Sequence, residues 1–117
     1  MKFHTRKLVK PTDLNARGTL FGGQLLKWID EEAAIFAICQ ANSSHLVTKA
    51  ISEINFIAPV HTGDIVEFGC ELIKTGNTSL TISMVVRNKT TKRKIVNIDN
   101  ITFVNVDRFG APKPLEL

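Results

Sequence analysis

The chain has 117 residues and a mass of 13.0 kDa, with 44% hydrophobic and 22% charged residues. These values suit one soluble globular domain and exclude a disordered chain, a collagen-like repeat and a coiled-coil rod. Fifteen basic residues against eleven acidic ones give a net charge of +4, which favours an anionic partner.

The sequence also predicts where the chain resides. The longest apolar run, Ala33 to Cys39, is far shorter than the ~20 residues that span a membrane. The charged stretch 1–11 lacks the apolar segment of a signal peptide, and two cysteines are too few for a disulfide framework. We therefore expect a cytoplasmic chain with reduced, buried thiols.

The first half of the chain predicts a short edge strand, a glycine-rich loop and one long helix. The strand covers 3–9, and the loop 15–23 contains three glycines. A helix is predicted from Gly23 to Ala41, and at 1.5 Å per residue it is ~28 Å long. Its apolar positions recur at three- and four-residue steps: Leu26, Ile29, Ala33, Ala37 and Ala41.

The second half alternates between apolar and polar residues, which predicts strands. These cover 50–57, 66–72, 80–87 and 94–106, with short turns between them. We expect an antiparallel meander wrapped around the helix, which is an α+β architecture in a single domain, 1–117. Residues 107–117 carry Gly110 and two prolines and are predicted to form a surface tail.

Asp30 is the first candidate for chemistry because it lies along the apolar stripe of the predicted helix. A carboxylate on a buried face must find partners or becomes harder to ionise, and a water-poor carboxylate can serve as a general base. In the structural alternative, Asp30 lies at the edge of the stripe, where it is solvated or bonded to a neighbouring loop. Glu31 and Glu32 are expected to turn away from the stripe.

Gly22 and Gly23 form a second candidate at the start of the helix. Backbone N–H groups there lack intrahelical partners and are not covered by side chains, so they can polarise a carbonyl oxygen. In the structural alternative, the two glycines make a turn and allow close packing of the helix.

The stretch RNKTTKRK, residues 87–94, carries five basic residues and no acid. It is expected to form a hairpin turn that either holds phosphates or is a solvated turn that discourages edge aggregation. The histidines lie on separate segments without metal-ligand spacing, so no metal is expected. Serine-hydrolase, nucleotide-binding and Walker motifs do not occur in the sequence.

Two separated runs resemble the signatures of the hotdog-fold acyl-CoA thioesterases. Residues 13–37 read DLNARGTLFGGQLLKWIDEEAAIFA, and residues 54–68 read INFIAPVHTGDIVEF. The chain is most similar to the bacterial YciA-like group, which is related to the brain-type acyl-CoA hydrolases, and the likeness covers residues 3 to about 108. It implies a hotdog fold and a dimer whose sheets join edge to edge, commonly assembled into a trimer of dimers.

The resemblance also implies the active site, which in this family lies at the dimer interface. Asn15 matches the family's catalytic asparagine and Asp30 its helical acid, each supplied by a different subunit. The thioester carbonyl is expected to bind the N–H of Gly23, together with Gly22, while Asp30 activates water or attacks directly. The chain departs from many relatives by reading FGG instead of HGG, and its tail is short.

Coenzyme A is the expected partner for the positive charge and enters as part of the substrate, with no further cofactor. The resemblance implies contacts to the phosphates, the pantetheine arm or the nucleotide. The residues expected to make them are Arg17, Asn77, Thr78, Ser79, Arg87, Lys89, Lys92 and Arg93.

Three other functions are compatible with the sequence. A hotdog module that binds acyl-CoA as a sensor would need neither Asn15 nor Asp30. A hotdog hydratase would use an Asp/His pairing that has no match here. An RNA-binding domain would need exposed aromatic residues on its sheet, whereas the Phe and Trp residues lie mostly at core-like positions. We therefore expect neither a nucleic acid nor a membrane as a partner.

Overall fold

The computed structural model describes residues 1–116. One helix packs on one face of a six-stranded antiparallel sheet, as the sequence predicts. The bounds are β1 Phe3–Leu8, α1 Gly22–Ala41, β2 Leu46–Ile51, β3 Asn55–Phe56, β4 Ile65–Thr75, β5 Ser79–Asn88 and β6 Lys94–Asn105, with a 3₁₀ turn at Pro11–Asp13. The helix is not long and apolar enough to cross a membrane.

The strand order corrects the prediction of a simple meander. The order across the sheet is β1-β4-β5-β6-β2, and β3 also pairs with β6. Strands β4, β5 and β6 follow one another, but β2 lies at the far edge beside β6 because α1 crosses the sheet before β2 begins. One edge of the sheet is therefore β1, and the other is formed by β2 and β3 together.

The predicted strand 50–57 is interrupted in the middle. Ile51 pairs with Ile101 and Asn55 with Asn97, so β2 and β3 keep one register along the same neighbour. Between them the Ser52 N–H still donates to the Asn100 carbonyl oxygen at 2.8 Å, but the Asn100 N–H donates to the Ser52 hydroxyl at 3.1 Å, so one of the two ladder bonds goes to a side chain. The alternating pattern predicts extended chain here, but it does not predict the side-chain hydrogen bond at Ser52 that divides the strand.

The buried face of the helix matches the predicted face at every position except one. Alanines at 33, 37 and 41 allow the helix to approach the sheet closely, and Ile29 is fully buried with them. Leu25 and Trp28 complete this face, whereas Leu26, predicted to be buried, is 40% exposed. The core beneath contains Phe68, Leu80, Ile82, Met84, Ile101 and Phe103.

Residues 107–116 run along the surface after β6. The Asn105 side chain donates to the carbonyl oxygens of Lys113 and Pro114, and the Leu115 N–H donates to the carbonyl oxygen of Asn77. The predicted tail also includes Leu117, which lies outside the described residues.

Candidate active site

Asn15 builds the loop that precedes the helix. Its Oδ1 accepts the N–H of Arg17 at 2.9 Å and that of Thr19 at 3.1 Å. The loop turns back at Gly18, where φ is +81°, a left-handed conformation that favours glycine. One of the two hydrogens on Nδ2 is taken by Thr19 Oγ1 at 3.0 Å, so the other remains available to a ligand.

Asp13 fastens this loop to the helix, a role that the sequence reading missed. Its carboxylate accepts the Lys10 N–H at 2.8 Å and the Gln24 side-chain amide at 2.9 Å, and its carbonyl oxygen accepts the Phe21 N–H. The Lys10 N–H bond is the largest influence on the pKa of Asp13 and, with the Gln24 bond and the Lys10 charge, lowers it despite burial. Asp13 therefore fixes where the helix begins.

The amide donors at the helix start are in the expected place. The first bond of the helix runs from Leu25 N–H to the Phe21 carbonyl oxygen at 3.1 Å, which leaves the N–H groups of Gly22 and Gly23 before it. The Phe21 ring lies over Gly23, so that a Cβ added to Gly23 would be 2.7 Å from the nearest ring atom. A Cβ at Gly22 would be 4.0 Å from the Phe56 ring, so there is more space beside Gly22, although Gly22 is half-buried and Gly23 is exposed.

In the single chain, Asp30 lies on the exposed side of α1. The expectation that it follows the buried stripe of the helix is therefore wrong for the isolated subunit. It accepts a hydrogen bond from the Thr48 hydroxyl of β2 at 2.8 Å. Because β2 is an edge strand, Asp30 lies beside an unpaired sheet edge. The structural alternative, a carboxylate bonded to a neighbouring segment, describes its environment in the isolated chain.

Glu32 is buried in place of Asp30, contrary to the expectation that it turns away. It is 7% exposed, accepts the Thr5 hydroxyl at 2.8 Å and lies 3.7 Å from Lys7 Nζ. Its position on α1 faces β1, and sequence periodicity could not reveal that β1 offers it two polar partners. Burial and the charge of Glu32 raise the pKa of the neighbouring Cys70 thiol to about 12.

A cleft of about 320 Å³ opens beside the helix start. Its lining is mostly apolar and comes from the end of the loop, the helix start, β3 and the segment after β3: Thr19, Leu20, Gly22, Leu25, Phe56, Ile57, Ala58, Pro59, Val60 and Ile95. Phe56 and Ile57 are each more than half exposed. All of these lining residues except Ile95 lie in the two runs that resemble the family signatures, but the sequence analysis predicts a role in the site only for Gly22.

A second, more polar cleft of about 250 Å³ continues from the first. The two share Ala58, Pro59 and Ile95. The polar cleft adds two groups that can carry a positive charge, His61 and Arg93, together with the acidic Asp64 and the uncharged Asn88 and Thr91. An elongated molecule with an apolar end and an anionic end would fit along the two clefts together.

The predicted basic turn presents its side chains to two sides of the sheet. Arg93 faces the polar cleft, whereas Arg87 and Lys92 face the opposite side and lie 2.6 Å and 3.7 Å from the buried Glu67 carboxylate. Burial raises the pKa of Glu67, but hydrogen bonds from Arg87 and Arg6 outweigh it and lower that pKa overall. The turn therefore presents two separate groups of cations, and the prediction that it holds phosphates stays a prediction.

The remaining predicted binding residues lie elsewhere. Asn77, Thr78 and Ser79 form the turn between β4 and β5, at the opposite end of β5 from Arg87. Ser79 and Arg87 are eight positions apart on β5, which corresponds to a distance of ~26 Å along the strand. The two groups cannot therefore surround one phosphate from within a single chain.

Arg17, Lys89 and the cysteines complete the survey of the predicted positions. The Arg17 side chain is exposed on the Asn15 loop, and Lys89 is half-buried, with its N–H bonded to the Ile65 carbonyl oxygen. Cys39 is exposed rather than buried as expected, whereas Cys70 is buried. Within residues 1–116, no group of three or more His, Cys, Asp or Glu side chains could hold a metal ion.

A long helix wrapped by an antiparallel sheet, with amide donors at the helix start beside a cleft, defines a hotdog-fold protein. The family model of the thioesterase superfamily matches residues 17–95, and the chain belongs to this superfamily. It is 33% identical to the acyl-CoA thioester hydrolase YciA of Salmonella typhimurium, over 94% of this chain and 86% of that protein.

Solved structures agree with this assignment. The hexameric thioesterase of Yersinia pestis superposes with a TM-score of 0.89 at 35% identity, over 98% of this chain and 95% of that one. The acyl-CoA hydrolase of Staphylococcus aureus, solved with butyryl coenzyme A, coenzyme A and coenzyme A disulfide, has a TM-score of 0.83 at 32% identity, over 95% and 66% of the two chains.

Proposed function

We propose that this protein hydrolyses acyl-CoA thioesters to free coenzyme A and a carboxylic acid. Its sequence relatives include acyl-CoA thioester hydrolases, and its structural relatives include hexameric thioesterases. The working unit is a homo-oligomer, at least a dimer and in its full form a trimer of dimers.

One observation carries the proposal that the active site is shared between subunits. Asp30 follows Gly22 by eight helical residues, so the two are ~12 Å apart along the axis of α1. A water held by Asp30 cannot reach a carbonyl bound at the amide donors of the same chain. Asp30 is instead exposed beside the β2 edge, where a second subunit can bring its own Gly22, Gly23 and Asn15.

The chemistry follows from this arrangement. The carbonyl oxygen accepts the N–H of Gly22 or Gly23 and the remaining hydrogen of Asn15 Nδ2, which stabilise the negative charge that develops there. Asp30 of the partner subunit takes a proton from water as the water adds to the carbonyl carbon. The C–S bond then breaks, and the departing sulfur receives that proton.

Asp30 can also act as a nucleophile. Its carboxylate then adds to the carbonyl carbon and expels the thiolate, and water hydrolyses the resulting anhydride. Oxygen from labelled water enters Asp30 in a single turnover if water attacks the anhydride at the Asp30 carboxyl carbon. If water attacks the acyl carbon instead, a trapped covalent acyl-enzyme identifies this route, and the general-base route gives neither result.

The separation of the two proposed residues supports their assignment. Solved variants of the Staphylococcus aureus hydrolase replace an asparagine and, fifteen positions further on, an aspartate. Asn15 and Asp30 have the same separation in this chain.

The two connected clefts suggest how coenzyme A lies in the site. The thioester end occupies the apolar cleft at the helix start, and the phosphates extend toward Arg93 and His61 in the polar cleft. Arg17 and Lys89 lie on neighbouring segments and are secondary candidates. Contacts by Asn77, Thr78 and Ser79 would come from another subunit, because they lie at the far end of β5.

The first experiment compares thiol release from acyl-CoAs of increasing chain length by the wild type and Asp30→Asn. We expect turnover by the wild type and a fall of at least about a hundredfold in the variant. Full activity of Asp30→Asn would contradict the mechanism. Saturable binding of acyl-CoA without turnover by the wild type would identify an acyl-CoA sensor instead.

A second experiment tests whether the site is shared. Asn15→Ala and Asp30→Asn are each inactive when expressed alone, but a mixed dimer regains one intact site. With random assembly about a quarter of the wild-type activity returns on co-expression. If both residues served one chain, co-expression would restore nothing.

A further inference from the structure

A row of charged side chains crosses the outer face of the sheet, the face away from α1. Arg6 on β1 pairs with Glu67 on β4, Glu67 pairs with Arg87 on β5, and Arg87 pairs with Lys94 on β6. The signs along this row are plus, minus, plus and plus. Two like charges, Arg87 and Lys94, are thus directly opposite one another, an arrangement that destabilises a sheet.

A single carboxylate, that of Glu67, forms ion pairs with three cations. Glu67 receives Arg87 Nε at 2.6 Å, Arg6 Nε at 3.3 Å and Lys92 Nζ at 3.7 Å. Lys94 forms no ion pair with any residue that the structure describes. The cluster therefore keeps an excess of positive charge even when the negative charge of Glu67 is included.

A cavity of about 370 Å³ lies directly on this cluster. Its lining side chains are Met1, Phe3, Val85, Arg87, Lys92 and Lys94, none of which is acidic. The Arg87 guanidinium is stacked on the Phe3 ring at 3.6 Å, so it is held in position over the cavity. The volume lies within the range of ligand-binding clefts.

We propose that this outer cavity is a binding site for a diphosphate group, held by Arg87, Lys92 and Lys94. A bound diphosphate offsets the repulsion between the opposed cations, and charge-assisted hydrogen bonds from Arg and Lys favour phosphoryl oxygens. The cations surround one cavity instead of forming an extended stripe, which favours a compact anion over a nucleic acid. The site is separate from the catalytic clefts, which lie on the other side of the basic turn.

Titration of the full-length protein with inorganic pyrophosphate tests the site. Lys94→Gln removes one exposed cation from the cavity, and Lys74→Gln removes a matched exposed cation from the far end of β4. We expect Lys94→Gln to weaken pyrophosphate binding about tenfold and Lys74→Gln to leave it unchanged. Absence of binding to the wild type, or an equal effect of both variants, would overturn the proposal while leaving acyl-CoA hydrolysis untouched.

Kinetics distinguish two sources of the diphosphate. If the ligand is the diphosphate of the substrate's coenzyme A, which would replace the placement of the phosphates beside Arg93, Lys94→Gln raises the KM for acyl-CoA but not for acyl-pantetheine, which lacks the diphosphate and the nucleotide. If the ligand is a free nucleoside diphosphate, both KM values stay unchanged and ADP binding weakens together with pyrophosphate binding. A KM increase for both substrates would contradict the proposal, because Lys94 would then act on the active site through the fold.

Discussion

Three buried carboxylates fix the surroundings of the site residue by residue. Asp13 joins the Asn15 loop to Gln24 on the helix, Glu32 holds β1 to the helix, and Glu67 gathers the cations of the outer face. Each of these carboxylates has hydrogen-bond or ion-pair partners, because an unpaired buried charge costs far more free energy than a paired one. The exposed Asp30 differs from all three, and this difference leaves it available for chemistry.

Asp13→Ala tests the first of these roles. The Lys10 N–H and the Gln24 amide lose their acceptor, so we expect a loss of about 1–3 kcal/mol in the free energy of unfolding near neutral pH. Because the pKa of Asp13 is lowered in the fold, its stabilisation is complete above the unfolded value of about 3.9 and is lost as the pH falls through the folded pKa. Urea unfolding from about pH 7 to pH 3 should therefore show the gap between wild type and variant narrowing below about pH 4.

Asp99→Ala is the matched control for this series, since Asp99 is exposed on β6 and bonded to the Asn97 side chain. A gap of constant size down to about pH 3 for Asp13→Ala would show that its hydrogen bonds do not depend on ionisation.

At the scale of elements, the turn between β5 and β6 serves two faces of the sheet. Lys92 lies in the turn with φ +65°, and the chain then continues through Arg93 into β6, so that Arg93 lines the polar cleft while Lys92 and Lys94 line the outer cavity. A composition count merges these residues into one basic patch. Because they lie on different sides of the sheet, we propose different ligands for these neighbouring residues.

Arg87→Ala and Arg93→Ala form a matched pair that tests this division. Arg87→Ala removes the 2.6 Å partner of buried Glu67, and we expect it to lower the free energy of unfolding by about 1–3 kcal/mol. Arg93→Ala should leave stability unchanged and raise the KM for acyl-CoA severalfold, with no change for acyl-pantetheine. Equal losses of stability in the two variants would argue against the division.

At the scale of the whole molecule, the proposed site requires two chains. In a two-fold dimer with antiparallel helices, each Asp30 meets the partner's helix start, and the axis passes midway between these positions. That midpoint is Leu26, which is 40% exposed in one chain. On the proposed dimer we therefore expect Leu26 to pack against its own symmetry mate, a contact that would cover an apolar residue on the exposed face of α1.

Leu26→Asp places two negative charges at this axis, and we expect the dimer to dissociate and activity to fall with it. Light scattering coupled to size-exclusion chromatography measures the mass, and thiol release measures the activity. Phe109→Asp is the control, because Phe109 is 81% exposed on the turn after β6 and far along the chain from α1. A Leu26→Asp protein that stays dimeric would rule out this packing.

The sequence by itself determined the elements and the chemistry that they carry. Apolar spacing is a local property, so it located α1 almost to the residue and revealed the strands of the sheet, and the motifs pointed to Asn15, Asp30 and the paired glycines. Their catalytic roles stay predictions until the variants are measured.

Tertiary structure alone decided which side of each element is covered. Leu26 was expected to be buried and is exposed, while Glu32 was expected to turn away and is buried against β1. For Asp30 the spacing left a buried and an edge position open, and the single chain has the edge position. The strand order, the connected clefts and the two faces of the basic turn likewise depend on segments that meet from distant parts of the chain. Burial is a property of contacts, and contacts between distant residues leave no periodic trace in the sequence.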